Sequence, residues 1–101
     1  GTMQAKFTPG ARIENWSVVE RNSDPYTPPE LRTKHLHGNV YGHPEFADGD
    51  EVSTTRIIDY DYPARQVTTK SREYTLGKIE PGYLEYLRAN PPKTFNPEDF
   101  A

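Results

Sequence analysis

The feature of this sequence that most constrains its fold is a central block, residues 33–77, in which β-rich segments alternate with turn residues. The β-rich segments, made of alternating or β-branched residues, are residues 33–41, 51–60, 65–70 and 73–77. The residues that favour turns between them are Gly42-His43-Pro44, Asp48-Gly49-Asp50 and Tyr62-Pro63. Short strands joined by turns predict a compact antiparallel β unit.

The flanking segments add one strand and one helix to this unit. Residues 13–20 contain Trp16 and Val18 and predict a first strand, whereas the prolines of residues 21–32 predict a long loop. Pro81 favours the first turn of a short helix, Pro81–Ala89. The expected fold is mainly β: a small antiparallel barrel or strongly bent sheet of about five strands, with one short C-terminal helix. Its strand count and loop order are similar to an SH3-like arrangement, which implies no function.

A chain of 101 residues predicts a single domain, and we expect that domain to occupy residues 13–90. Residues 1–12 are expected to form a flexible N-terminal arm, in which Gly1 and Thr2 resemble the remnant of a cleaved tag. Residues 91–101 are polar and interrupted by proline, so they are expected to form a flexible tail unless Phe95 or Phe100 docks on the domain.

Composition argues against several classes of protein. The chain contains no cysteine, which excludes disulfides and thiolate zinc sites. A cysteine-free chain fits a reducing cytosol, so we expect a cytoplasmic protein. No apolar segment approaches the length of a membrane span, and the amino end does not resemble a secretory signal, so no membrane partner is expected.

The net charge of −3 is distributed unevenly, because residues 42–62 hold six carboxylates and a single cation, Arg56. The carboxylates are Glu45, Asp48, Asp50, Glu51, Asp59 and Asp61. This block would repel DNA, and no basic stripe with interleaved aromatic residues occurs elsewhere, so nucleic acid is not an expected partner. A basic protein would be attracted to an acidic surface of this kind.

Residue alternation in the second predicted strand separates an apolar face from a polar one. Leu36 and Val40 share the face that we expect to be buried. The polar face, which is expected to meet solvent or a groove, carries His35, His37, Asn39 and Tyr41.

Residues 51–60 form the longest predicted strand. Val52 and Ile58 have one parity and Ile57 has the other, which predicts a β-bulge or a two-sided environment. The end of the strand, Asp59-Tyr60-Asp61-Tyr62, places two carboxylates beside two phenols. Tyrosines next to turns and polar faces are favoured anchors of protein interfaces.

These patterns favour a non-catalytic protein-interaction module with an acidic face that bears Tyr and His. Its partner is expected to be a basic protein, or a second copy of the chain in a homodimer. The expected binding surface consists of His35, His37, Asn39, Tyr41, Tyr60, Tyr62, Asp59 and Asp61. Catalysis is not expected, because the chain has neither cysteine nor a Gly-x-Ser-x-Gly motif, and no cofactor is expected.

Two alternatives remain open. In the first, His35 and His37 lie on one strand face, close enough to bind one zinc ion, with His43, Glu45 or Asp48 as a further ligand. Such a site could also activate water, as in a metal-dependent hydrolase. In the second, the protein is an acidic inhibitor that imitates nucleic acid, which requires the six carboxylates of residues 42–62 to lie along one surface.

Overall fold

A computed structural model describes residues 11–21, 25–28 and 32–101 of the chain. Within these ranges lie five strands, one α-helix and one 3₁₀ helix. In chain order these are β1 Ala11–Arg21, β2 Thr33–Tyr41, β3 Glu51–Asp61, β4 Gln66–Thr69, β5 Glu73–Leu76, α1 Pro81–Ala89 and the 3₁₀ helix Pro97–Phe100. The mainly β class and the short helix near the C-terminus are confirmed. The arm expected at residues 1–12 lies largely outside the described residues, and β1 begins two residues earlier than expected.

The five strands form a closed ring in which each strand is hydrogen-bonded to the next. Successive strands pair antiparallel. The ring closes because β5 pairs in parallel with β1, where Ala11 lies opposite Tyr74 and Ile13 opposite Leu76. The predicted small antiparallel barrel or strongly bent sheet of about five strands is therefore confirmed as a closed, barrel-like ring, which one parallel pair completes.

A bulge in β1 brings two strands unusually close together. The β1–β2 register shifts between Glu14 and Ser17, and Asn15 takes the left-handed conformation with φ 54°, which Asn tolerates better than most residues. Gly38 of β2 faces this bulge. A Cβ atom on Gly38 would lie 2.7 Å from the carbonyl oxygen of Glu14, so only glycine fits the approach.

Two further bulges bend β3. Its register with β2 shifts between His35 and His37, and its register with β4 shifts between Ile57 and Asp59. The first shift inverts the alternation along β3, so that Ile57 packs against the core and Ile58 is exposed, although Val52, of the same parity as Ile58, is buried. The predicted bulge in this strand is confirmed, and bulges of this kind increase the coiling that closes a small barrel.

The interior of the ring is a single apolar cluster. Leu36 and Val40 are fully buried, as their parity predicts. Trp16 is buried beside them, and its Nε1–H donates a hydrogen bond to the carbonyl oxygen of Gly77, 2.9 Å away. The buried apolar residues are Ala11, Ile13, Trp16, Leu36, Val40, Val52, Val67, Tyr74, Leu76, Ile79, Leu84, Leu87 and Phe100.

The helix and the C-terminal residues pack against one side of this interior. Glu80 caps α1 by accepting hydrogen bonds from the backbone N–H groups of Gly82 and Tyr83. Phe100 is buried, Phe95 packs against the core, and the N–H of Ile79 donates to the carbonyl oxygen of Phe100. The flexible tail expected at residues 91–101 is therefore replaced by a docked segment, because its two phenylalanines find apolar partners. In the described ranges no helix has the length and apolar character that crossing a membrane requires.

Candidate functional site

The predicted binding surface is divided between two ends of the barrel. We call them the loop end, at residues 42–50 between β2 and β3, and the helix end, where α1 and residues 91–101 pack. Strand β3 runs from one to the other: Glu51 pairs with Asn39 at the loop end, and Tyr60 lines a groove with α1 at the helix end. Nine residues of extended strand span about 30 Å. The two halves of the predicted surface therefore cannot contact one small ligand together.

His35 belongs to neither exposed surface, because it is only 9% exposed. Its ring nitrogens lie 2.8 Å from the hydroxyl of Thr33 and 2.8 Å from the carbonyl oxygen of Thr54. The Thr54 hydroxyl accepts a hydrogen bond from the N–H of Leu36, at 3.0 Å. Side chains thus supply the hydrogen bonds that the β3 bulge removes from the strand ladder. The prediction that His35 faces solvent or a groove is therefore wrong, because its ring is buried and hydrogen-bonded within the sheet.

His37 lies on the outer face of the sheet in a row of polar side chains. Its Nδ1 is 2.9 Å from the hydroxyl of Ser53, and its Nε2 is 2.8 Å from a carboxylate oxygen of Glu51. Carboxylate, imidazole and hydroxyl occur in this order in hydrolytic triads. Cross-strand geometry accounts for the row here, because His37 and Ser53 are register partners and Glu51 lies two residues along β3.

Asn39 and Tyr41, the remaining loop-end residues of the predicted surface, also make contacts within the chain. The amide of Asn39 donates to the carbonyl oxygen of Gly49 at 3.0 Å. The ring of Tyr41 lies 4.8 Å from the guanidinium carbon of Arg12, which is a cation–π distance.

His43 stabilises the loop between β2 and β3. Its Nδ1 accepts a hydrogen bond from the N–H of Glu45 at 2.9 Å, and its ring packs edge-on against Phe46, with centroids 4.8 Å apart. Burial lowers the pKa of His43, the positive charge of Arg72 lowers it further, and Glu45 partly opposes both. The imidazole is therefore favoured in its neutral form, which its acceptor role requires.

The geometry does not assemble the predicted metal ligands. His35, His37 and His43 each have their own hydrogen-bond partners, and a carboxylate oxygen of Asp48 accepts from the N–H of Gly42. In the part of the chain that the structure describes, no three His, Cys, Asp or Glu side chains are placed to hold one metal ion.

Most of the acidic residues in 42–62 stabilise turns. Asp48 and Asp50 accept backbone N–H groups within the β2–β3 loop, and Asp59 and Asp61 accept those of Tyr60 and Ala64 near the end of β3. Such bonds are the usual role of Asp in turns. These carboxylates lie at both ends of β3, so they do not form the single acidic surface that imitation of nucleic acid requires.

The helix end contains a groove of about 820 Å³. It lies where β2 and β3 separate, because their pairing ends at His35 and Arg56 and β3 then continues beside β4. Helix α1 and the C-terminal segment form its opposite wall. We call it the aromatic groove, after its lining rings Tyr60, Tyr62, Tyr83, Tyr86 and Phe95.

Trp16 supports the rings on both walls of the aromatic groove. Its centroid lies 6.5 Å from that of Tyr62 and 6.0 Å from that of Tyr83. On the strand side Tyr60 packs on Tyr62 at 4.9 Å, and on the helix side Tyr86 stacks on Tyr83 at 6.3 Å. Each pair of rings thus packs, through its inner tyrosine, against the buried indole of Trp16.

The inner and outer rings of each pair differ in burial. Burial, followed by the neighbouring Tyr83 and Tyr60, raises the pKa of Tyr62 to about 12, and burial also raises the pKa of Tyr83. The outer rings remain accessible: Tyr60 is 49% exposed and Tyr86 is 60% exposed. The inner tyrosines are therefore held as uncharged parts of the packing, while the outer ones present open apolar faces.

Charged side chains also line the aromatic groove. Lys34 of β2 and Arg56 of β3 are exposed on its strand side. Glu20 lies opposite Lys34 in the β1–β2 register, and Asp59 also lines the groove. Neither Lys34 nor Arg56 has a carboxylate within 4.0 Å among the described residues.

Sequence patterns predicted Tyr60, Tyr62 and Asp59 of this site, but not its helical wall or its cations. Tyr83 and Tyr86 are three residues apart and therefore lie on neighbouring positions of one helix face. That spacing is the signal that could have identified the wall. Comparison of the chain with protein-family models, curated proteins and solved structures gave no match.

Proposed function

We propose that this protein is a non-catalytic interaction module whose aromatic groove binds a segment of a partner protein. The observation that carries this proposal is the pair of half-exposed rings, Tyr60 and Tyr86, set on inner rings that Trp16 supports. Tyrosine is enriched in protein interfaces because it buries a large area and loses little side-chain freedom.

The size and rigidity of the groove favour binding. A volume of about 820 Å³ lies in the range of sites that bind compact ligands, and it can accommodate a few residues of a peptide. Because Tyr62 and Tyr83 are already packed, ordering them on association requires little additional conformational entropy. Binding would cover the open faces of the outer rings.

The aromatic groove contains the helix-end half of the binding surface that the sequence predicts. Tyr60, Tyr62 and Asp59 line the groove, whereas the imidazole of His37 has partners within the sheet. The occupant is a segment of another protein, and self-association through the same groove is a competing outcome that the experiment distinguishes.

The test compares a groove variant, Tyr60→Ala/Tyr86→Ala, with Phe46→Ala, which removes an aromatic ring of similar exposure from the loop end. Each immobilised protein is incubated with lysate of the source cells, and retained proteins are quantified by mass spectrometry. Circular dichroism verifies that both variants are folded. We expect at least one protein to be retained by the native chain and by Phe46→Ala but lost by the groove variant.

Two results would contradict the proposal. One is a set of retained proteins that is the same for the native chain and the groove variant. The other is a native dimer, observed by sedimentation velocity, that the groove variant converts to a monomer, because the groove would then be a self-association site.

A further inference from the structure

We infer that the segment bound by the aromatic groove is extended and acidic, with apolar or proline residues against the tyrosines and a carboxylate at Lys34 and Arg56. This inference rests on the proposed function and adds the chemistry of the partner. Its evidence is the placement of Lys34 and Arg56 on the strand side of a groove with five aromatic rings, which Arg32, Glu20 and Asp59 also line.

Strand pairing places both cations at the border of the groove. Lys34 and Arg56 are exposed and line it, and Arg56 is the register partner of His35, the residue that follows Lys34. They lie beyond the core, where β2 and β3 have separated, so they border the groove instead of the apolar interior.

Lys34 and Arg56 are available to an anionic ligand. Within the described ranges no carboxylate lies within 4.0 Å of either. Glu20 faces Lys34 in register without reaching it, and a carboxylate oxygen of Asp59 accepts the N–H of Tyr60. Ligand carboxylates would gain charge-assisted contacts with these cations beside an apolar surface, where such contacts are stronger than in open water.

The same cations disfavour a positively charged ligand. Exposed tyrosines can bind methylated ammonium groups through cation–π contacts. Here a bound ammonium group would lie near Lys34 and Arg56, and like charges in one groove oppose binding. Lys34 and Arg56 therefore favour a carboxylate over an ammonium group.

Single-stranded nucleic acid is the other ligand that combines stacking surfaces with cations. A nucleic acid brings a phosphate with every nucleotide and needs a continuous line of positive charge. The aromatic groove instead mixes cations with Glu20 and Asp59, in a chain of net charge −3. A peptide with isolated carboxylates fits this mixture better than a uniform polyanion.

The rings favour an extended peptide backbone with apolar side chains. Aromatic-lined grooves commonly bind proline-containing segments, because the polyproline II conformation is ordered before binding. Tyr60 and Tyr86 rise on opposite walls, so apolar side chains of an extended segment can pack between them while its carboxylate reaches Lys34 and Arg56.

In the experiment, the ¹⁵N-labelled full chain is titrated with an octapeptide of four prolines, one leucine and three glutamates. Binding is measured by NMR. Lys34→Glu/Arg56→Glu reverses the groove cations. The control, Lys70→Glu/Lys78→Glu, makes the same change in net charge with two exposed lysines outside the groove. We expect the groove reversal to weaken binding about tenfold and the control about twofold. A peptide with glutamine in place of glutamate should bind both variants alike.

Several results overturn the inference. These are equal binding of the acidic peptide to the two charge variants, no binding of the acidic peptide to the native chain, and tighter binding of a ten-nucleotide oligothymidylate. The proposed function is judged separately: a partner lost with Tyr60→Ala/Tyr86→Ala but retained by Lys34→Glu/Arg56→Glu supports the module and contradicts its acidic preference.

Discussion

The helix end and the loop end of the barrel share the same long strands but use their polar and aromatic side chains differently. At the loop end, His43, Asp48 and Asp50 are occupied with backbone hydrogen bonds of the β2–β3 loop. At the helix end, Tyr60 and Tyr86 present half-exposed rings. Lys34 and Arg56, which line the same groove, lack carboxylate partners within 4.0 Å among the described residues.

This difference shows how a functional surface can be separated from a structural one. A polar group with partners inside the chain gains little from an external ligand, because binding must first break those hydrogen bonds. A rigid apolar ring that is half exposed gains from any partner that removes it from water. Residue type alone would favour the histidine-rich loop end as the binding surface. The helix end is favoured because fewer of its side chains have partners within the chain.

The largest expected effect tests whether the helix end depends on the barrel interior. Trp16→Ala removes the indole that contacts Tyr62 and Tyr83 and its hydrogen bond to Gly77. We expect a loss of about 3–5 kcal/mol in the free energy of unfolding, enough to unfold much of a domain whose total stability is on the order of 5 kcal/mol. Urea unfolding followed by far-UV circular dichroism measures it, since Trp16 is the only tryptophan.

The matched change at the loop end is Phe46→Ala. Because Phe46 is 45% exposed and packs mainly on His43, we expect a loss of only about 1 kcal/mol. Similar losses from Trp16→Ala and Phe46→Ala would contradict the contrast between the two ends.

An effect smaller than that of Trp16→Ala is expected at the β3 bulge. Thr54→Val keeps the shape of the side chain but removes the hydroxyl that accepts the N–H of Leu36, leaving a buried donor without a partner. The expected loss is about 1–3 kcal/mol, with faster hydrogen exchange at the Leu36 amide. Thr54→Ser keeps the hydroxyl and should retain the slow exchange of that amide. Equal exchange in both variants would show that the hydroxyl does not stabilise the bulge.

The sequence predicted the architecture because alternation and turn chemistry are local signals. Leu36 and Val40 are buried as their parity predicts, and the parity conflict between Ile57 and Ile58 correctly indicated a bulge. His35 follows the same alternation but is buried, because a register shift in the neighbouring strand encloses it. Register depends on two strands at once and cannot be obtained from one.

The aromatic groove was harder to predict because it joins distant parts of the chain. Lys34, Tyr60 and Tyr86 line it together, and no local period relates them. The docking of Phe100 likewise depends on the shape of a core that only the folded ring creates. Tyrosines in the terminal helix indicated an apolar face, but only the packing shows that Tyr83 is mostly covered while Tyr86 remains open.

A pH-dependent effect is expected from His43 at the loop end. Its pKa is lowered in the folded state from an ordinary value of 6.5, so the unfolded chain binds the proton more readily. The contribution of neutral His43 is fully present above pH 6.5 and decreases as the pH falls through the lowered pKa. Urea unfolding at pH 7.5 and pH 5.5 measures the decrease. His43→Gln, which cannot titrate, should show a smaller one, and an unchanged decrease would exclude His43 as its source.

The smallest expected effect is that of His37→Ala, which alters the half of the predicted binding surface that lies at the loop end. This variant tests directly whether the loop end or the helix end binds the partner. The variant removes two exposed hydrogen bonds, to Ser53 and Glu51, and exposed pairs of this kind contribute about 0.5 kcal/mol. Urea unfolding measures this change, and lysate capture measures partner retention, which should stay at the native level. If His37→Ala abolished retention without altering stability, the binding surface would lie on the outer face of β2. In this protein, the lack of interaction partners within the chain would then indicate a binding residue less well than residue type does.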